Sequence, residues 1–295
     1  MTKIGFIGAG TVGTALAASM AGQGYTVAGV YSRSIPSAER LAERAPGCRI
    51  YRSSQEIADR MDLVFITTPD DAIPAVVSQT SWHNGQSVVH CSGADSTAVL
   101  EPARKSGAAV GCIHPLQTFA SIDHAIENLP GSTFALEAEE TLLGLLKDIT
   151  TKLGGHWVVL KAENKVLYHA SAVIACNYLV TLVKLATDLW QSFGISTPEA
   201  TRALLPLVRG TVNNIENVGL PNCLTGPIAR GDLGTIKKHL TALEAETTSV
   251  LGTYRELGRQ TIPVSLAKGR ITEERAKELQ DLFASPAAPH HGNPG

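Results

Sequence analysis

Through the first half of the chain, short apolar runs alternate with stretches of helical periodicity. The runs are Lys3–Ile7, Thr26–Tyr31, Leu63–Thr67, Ser87–His90, Ala109–His114, Ser132–Glu137 and His156–Leu160. Apolar runs without polar alternation suit strands covered on both faces, so the pattern predicts an α/β fold with a doubly wound, mostly parallel sheet. Between them, TVGTALAASMAGQG after Gly10, Pro36–Ala45 closed by Pro46, and Glu139–Leu153 ending at Gly154-Gly155 are expected as crossover helices. After Leu160 the strand pattern stops. The remainder predicts an all-α helical domain with helices over Lys161–Phe193, Pro198–Asn217, Leu233–Gly258 and Thr272–Phe283. Residues 1–160 are therefore expected as one domain and 161–284 as a second, with a disordered Pro-, Gly- and His-rich tail over 285–295.

Composition narrows the possible partners. The chain of 295 residues is 44% hydrophobic and 18% charged, with a formal net charge of -2, so no global field draws it to nucleic acid or to an anionic membrane. Five scattered cysteines without a CxxC pair argue against a disulfide framework, and no basic, apolar leader precedes the first strand. A cytoplasmic location follows as the expectation. Val166–Val183 carries no charge and approaches membrane-span length, but His169, Ser171, Asn177 and Thr181 would be costly facing lipid. A helix buried between two subunits satisfies them better, which predicts a homodimer through the helical domain and no membrane.

Gly8-Ala9-Gly10-Thr11-Val12-Gly13 lies between the first strand and a helical run, the context a dinucleotide fingerprint requires. Gly8 permits the turn, Gly10 admits a pyrophosphate, Gly13 lets helix approach strand, and the N–H groups at Thr11 and Val12 face the ligand. The second strand ends in Ser32-Arg33-Ser34, where NAD enzymes carry an acid for the ribose hydroxyl. Arg33 suits a 2′-phosphate instead, with Ser32 and Ser34 as hydroxyl donors, so the expected cofactor is NADP(H). Thr67-Thr68-Pro69 follows another strand at the same sheet edge and is expected beside the cofactor; Asp70 or Asp71 would either join it or cap the next helix.

Two further strands end in His90-Cys91-Ser92-Gly93 and Cys112-Ile113-His114-Pro115, where an imidazole or the Ser92 hydroxyl could approach a small-molecule substrate. The same residues raise a zinc site, but strand neighbours point to opposite faces, and no metal is expected. At the start of the long helix, i, i+4 spacing aligns Lys161, Lys165 and His169, with Cys176 further along and Asn177 some way around the helix. A lysine or histidine there can protonate the oxygen of a carbonyl as hydride arrives. In Leu224–Asp232, Arg230 could hold a carboxylate, pair with Asp232, or belong to a loop that merely positions the next helix.

Together GFIGAGTVG, HCSGADS, HPLQTF, YHASAVIACNYLV and LTGPIARGD resemble the Rossmann-like oxidoreductases that carry a C-terminal domain of unknown function 2520. The resemblance covers nearly all of the chain to about Phe283. It implies an NADP-binding Rossmann domain followed by a helical, commonly dimerising domain, as in the related pyrroline-5-carboxylate reductases, β-hydroxyacid dehydrogenases and ketopantoate reductases. Lys165 is similar to the helix lysine that the last two groups use as proton donor; His169 stands where their helix has asparagine. His114-Pro115 is similar to the His-Pro strand end of prephenate dehydrogenases. The implied activity is NADPH-dependent reduction of a small 2-oxo acid, ketopantoate first. Lys165 or His169 would be the acid, His114 would orient the carbonyl, and Ser92, Asn177 and Arg230 would bind substrate. Reduction of a cyclic imine and a non-catalytic NADPH sensor or scaffold are the alternatives.

Overall fold

The computed structural model describes residues 1–246 and 248–284. The tail expected at 285–295 lies outside the described residues. Eight strands form one sheet in the order β3-β2-β1-β4-β5-β6-β7-β8: β1 (Lys3–Ile7), β2 (Thr26–Tyr31), β3 (Arg49–Ile50), β4 (Leu63–Ile66), β5 (Ser87–His90), β6 (Ala109–Leu116), β7 (Thr133–Ala138) and β8 (His156–Val159). Strands β1 to β6 are mutually parallel; β7 runs antiparallel to β6, and β8 parallel to β7. The two-residue β3 was not among the expected strands.

Strand periodicity sorts neighbouring side chains onto the two faces. Leu63 and Phe65 enter one core cluster with Ile4, Phe6, Val89 and Ile113, while Val64 and Ile66 enter another with Ile7, Val88 and Val110. The first cluster is closed by helices α1 (Thr11–Gly22), α2 (Ile35–Arg44), α6 (Ile122–Asn128) and α7 (Glu140–Lys152). The second is closed by α3 (Ser54–Ala58), α4 (Ile73–Gln79) and α5 (Glu101–Lys105). Each fully buried Phe or Leu contributes about 1.5–3 kcal/mol, so both faces are independently secured. At the outer edge of the sheet, Trp157, Val158 and Val159 of β8 are exposed, and the Lys147 ammonium sits 4.3 Å from the Trp157 ring centroid.

Beyond the sheet the chain continues as α8 (Lys165–Ala175), α9 (Asn177–Gln191), α10 (Thr197–Val218), α11 (Leu233–Glu246), α12 (Thr248–Ala267) and α13 (Glu273–Ala284). The last strand ends at Val159, but compact units divide between Tyr178 and Leu179 rather than near Leu160, because Lys165 at the head of α8 is buried among sheet residues. The single helix expected over Lys161–Phe193 is interrupted: Cys176 takes φ -110° and ψ -67°, and helical geometry restarts at Asn177. The helix expected over Leu233–Gly258 is two helices folded on each other. In one straight helix His239 and Tyr254 would stand roughly 20 Å apart by the rise per residue, yet His239 Nδ1 and Tyr254 Oη are 2.8 Å apart, and Arg255 pairs with Glu244 at 2.7 Å. The second unit has its own core of Ile236, Leu240, Leu243, Ile262, Leu279 and Phe283. Ala200 is the one residue of α10 described as buried.

Candidate functional site

The glycine fingerprint turns out to be three different demands. Gly8 has φ +102°, and a Cβ there would lie 2.7 Å from the Thr67 carbonyl carbon and the Thr68 nitrogen. A Cβ on Gly13 would collide with Thr67 Oγ1, which itself donates to Gly8 O at 2.8 Å. Around Gly10, by contrast, no protein atom lies within 4 Å of the place a Cβ would take. Gly10 also N-caps α1 without a side-chain hydrogen bond, leaving the first N–H groups of Thr11, Val12 and Gly13 for a ligand. Packing therefore explains Gly8 and Gly13, whereas nothing in the packing around Gly10 demands a glycine, and its backbone lies open to the space beside it.

That space opens into a cleft of about 400 Å³ lined by Gly8–Gly10, Ser32–Ser34 and Thr67–Pro69. The Thr68 hydroxyl is buried and has no hydrogen-bond partner, an orphan that a bound ligand can satisfy. Arg33 is exposed on the rim and forms no ion pair among the described residues. Beside it, Ser34 caps α2, the Ser37 hydroxyl donates to Ser34 Oγ at 3.0 Å, and Arg40 donates to Ser37 Oγ at 2.8 Å. Ser37 and Arg40 add hydroxyl and cationic groups that the strand-end motif did not indicate. The residues present fit a dinucleotide carrying a 2′-phosphate: the uncapped helix for the pyrophosphate, and Arg33 with its serines for the extra phosphate.

Neither Asp70 nor Asp71 caps the following helix. Asp70 instead accepts a hydrogen bond from Ser92 Oγ at 2.7 Å, tying the Thr67–Asp70 turn to the end of β5. The Ser92 hydroxyl also accepts from the backbone of Ala94 and Asp95, and Ser92 is 2% exposed. It is a structural joint rather than the free substrate contact expected.

Lys165 differs most from its expected role. It is 1% exposed, and its Nζ donates to Ser92 O at 3.1 Å and to Cys112 Sγ at 2.7 Å. The expected proton donor is thus enclosed within the first unit. Lys161, expected on the same helical face, precedes α8 and is exposed. Burial pushes the Cys112 thiol up to about 11 despite the neighbouring ammonium. His90, fully buried and lowered to about 3 by burial and then by the Lys165 charge, accepts from Ser92 N. It is locked into the sheet rather than presented to a substrate.

His114 and His169 do come together. Their rings stand edge to face with centroids 5.8 Å apart, and a Cβ on Gly93 would strike both, at 2.8 Å from His114 Nε2. His114 Nδ1 lies 2.8 Å from Tyr168 Oη, while the buried His169 Nδ1 has no partner. Burial, then the neighbouring His169 and Lys165, lower His114 to about 4, so it is neutral near pH 7. Burial likewise raises the Tyr168 phenol far above its ordinary value. The result is a patch of two imidazoles and a phenol against a glycine, with His114 held neutral, joined through Ser92 to the dinucleotide cleft. Tyr168 was missed because it precedes His169 and leaves the i, i+4 face by about 100°.

Residues 1–115 match the Rossmann-like domain and residues 132–261 match a domain of unknown function, DUF2520. The chain carries a Rossmann-like domain and a DUF2520 domain. His114 thus stands in the Rossmann-like match, and Lys165, Tyr168 and His169 in the DUF2520 match. No curated protein matches the chain. Among solved structures, a candidate NADP oxidoreductase from Bacteroides fragilis is 25% identical, with a TM-score of 0.72, and the match covers 89% of this chain and 98% of that one. A reductive aminase from Aspergillus terreus in complex with NADPH and ethyl-5-oxohexanoate is 18% identical (TM-score 0.61; 96% and 92% covered). A Plasmodium falciparum pyrroline carboxylate reductase with NADP bound is 15% identical (TM-score 0.57; 96% and 98% covered). At those identities the last two share the fold alone.

Asn177 opens α9 at the end of the first unit, and Arg230 is exposed in the second unit, on a turn over Ile228–Arg230. Arg230 forms no salt bridge with Asp232, whose carboxylate instead accepts from Thr235 N at 3.0 Å and Thr235 Oγ1 at 2.7 Å at the start of α11. Among the described residues no group of three or more His, Cys, Asp and Glu side chains is placed to hold a metal.

Proposed function

We propose that the chain is an NADPH-dependent oxidoreductase that reduces the C=N bond of a small imine. Bound NADPH would supply the hydride. Gly10 and the N–H groups of Thr11, Val12 and Gly13 would hold the pyrophosphate, with Gly8 making the turn that leads to them, Ser32, Arg33 and Ser34 the 2′-phosphate, and Thr67–Pro69 the rest of the nucleotide. The observation that carries the choice of bond is the enclosure of Lys165. A carbonyl becomes an alkoxide and calls for a strong acid or a cation. An imine nitrogen is already basic, and a neutral N–H suffices to deliver its one proton. His114 and His169 are the groups left to face a substrate, and both lie against Gly93.

A homodimer belongs to the same reading. Val180 and Leu182 of α9 and Leu207, Val212, Ile215 and Val218 of α10 are exposed, and Ala162–Gln191 is long and apolar enough to cross a membrane by length and composition. Covering that surface with a second copy in the cytoplasm accommodates the polar side chains of the stretch, as a bilayer would not.

Absorbance decay of NADPH, with NADH in parallel, over cyclic imines and 2-oxo acids including ketopantoate tests the reading. Turnover of an imine with NADPH preferred supports it. Faster turnover of ketopantoate overturns the assignment of the bond, and tight NADPH binding without oxidation across the panel favours the non-catalytic sensor.

A further inference from the structure

We propose that Tyr168 is a positioning residue: its hydroxyl donates to His114 Nδ1 and so holds that imidazole in the tautomer whose Nε2–H lies against Gly93. Three observations converge on this. Tyr168 Oη and His114 Nδ1 are 2.8 Å apart with the two rings edge to face, centroids 5.6 Å apart. His114 Nδ1 is the only side-chain partner of the Tyr168 hydroxyl among the described residues, so within the protein the phenol proton finds a side-chain acceptor only when this ring nitrogen carries no proton. The other ring nitrogen lies 2.8 Å from the place a Cβ of Gly93 would take, and the orphaned His169 Nδ1 lies close to the same place.

The catalytic consequence rests on the imine reductase reading. As the C=N carbon gains a hydride, its nitrogen gains one proton from His114 Nε2; Nδ1 takes the Tyr168 hydroxyl proton, the half-buried phenolate takes one from a hydronium ion of the solvent, and the ring returns to its Nε2–H form by proton exchange with water before the next turnover. Hydronium from the solvent thus supplies the net proton, and both His114 and Tyr168 end neutral. A tyrosine with a merely packing role would leave the histidine free to hold its proton on either nitrogen.

The test is the tautomer of His114 in the full-length protein, read from ¹⁵N shifts of the imidazoles, with the resonance assigned by its loss in His114→Gln. Expected is the Nε2–H form in the parent protein and a mixture in Tyr168→Phe, with the Kd for NADPH unchanged. An Nδ1–H form in the parent, or an undiminished Nε2–H form in Tyr168→Phe, overturns the proposal without any variant activity being needed. With 1-pyrroline as substrate, Tyr168→Phe is expected to lower kcat about 10- to 100-fold at unchanged KM and to shift the pH profile. If 1-pyrroline is not reduced by the parent protein but the tautomer result holds, the imine reading fails and the positioning assignment stands.

Discussion

Acidification offers a direct test of how deeply the two sheet histidines are enclosed. Free histidine titrates near 6.5, whereas His90 is lowered to about 3 and His114 to about 4, in both cases chiefly by burial. For His90 the Lys165 charge and His114 add to the effect, opposed by the Ser96 backbone; for His114 they are His169 and Lys165, opposed by Asp70. Native pKa values below the unfolded one mean that the unfolded chain binds protons the native state refuses. Stability is therefore full above the unfolded value of 6.5 and is lost as pH falls towards 4 and 3. Each group contributes a slope of about 1.4 kcal/mol per pH unit once the unfolded histidine is fully titrating. Between about pH 7 and about pH 5 this integrates to about 2 kcal/mol per histidine, or about 4 kcal/mol for the pair. That is a large share of a typical stability of about 5–15 kcal/mol. Urea unfolding in a Trp190→Phe background reads the first unit through Trp82 and Trp157. His90→Gln should remove about half of the pH slope. A stability that changes by less than about 1 kcal/mol over this interval, or a slope untouched by that substitution, would refute the enclosure argument.

Gly10→Ala should weaken NADPH binding about tenfold or more while leaving Tm nearly unchanged, because the added methyl meets only the cleft. Gly13→Ala should lower stability by about 1–3 kcal/mol through its clash with Thr67, which calorimetry would register even without cofactor. Arg33→Ala should weaken NADPH about 10- to 100-fold and leave NADH nearly unaffected, as titration of each nucleotide would show. Lys165→Met should cost about 1–3 kcal/mol of stability and lower kcat by less than the roughly hundredfold that losing a general acid costs. Sedimentation at micromolar concentration should show a dimer that an aspartate at Leu207 or Val212 converts to monomer.

The sheet was legible because its signal is local: apolar runs of four to six residues between turn glycines give strands wherever they meet a covering helix. The Arg49–Ile50 pair is too short to show periodicity, and its strand geometry comes from pairing with β2. At the site, i, i+4 spacing placed Lys165 and His169 on one helical face, but a face has no sign until the neighbouring sheet is known. The lysine went inward to Cys112 and Ser92, four residues from a histidine that meets Gly93. Tyr168 gained its meaning from His114, on a strand remote in sequence. The return of α11 onto α12 was hidden for a similar reason, since Leu233–Gly258 has helical periodicity throughout and contains no proline.

The outer edge of the sheet bears on how the chain behaves while it folds. Strand β8 presents unpaired backbone groups along one side, together with Trp157, Val158 and Val159, so it is a natural template for the edge of another incompletely assembled molecule. Two features hold this tendency in check: the strand stops after four residues, and the Lys147 ammonium over Trp157 keeps a charge where a second strand would settle. Removing the Lys147 charge therefore leaves the shortness of the strand as the remaining one of these two checks on this edge.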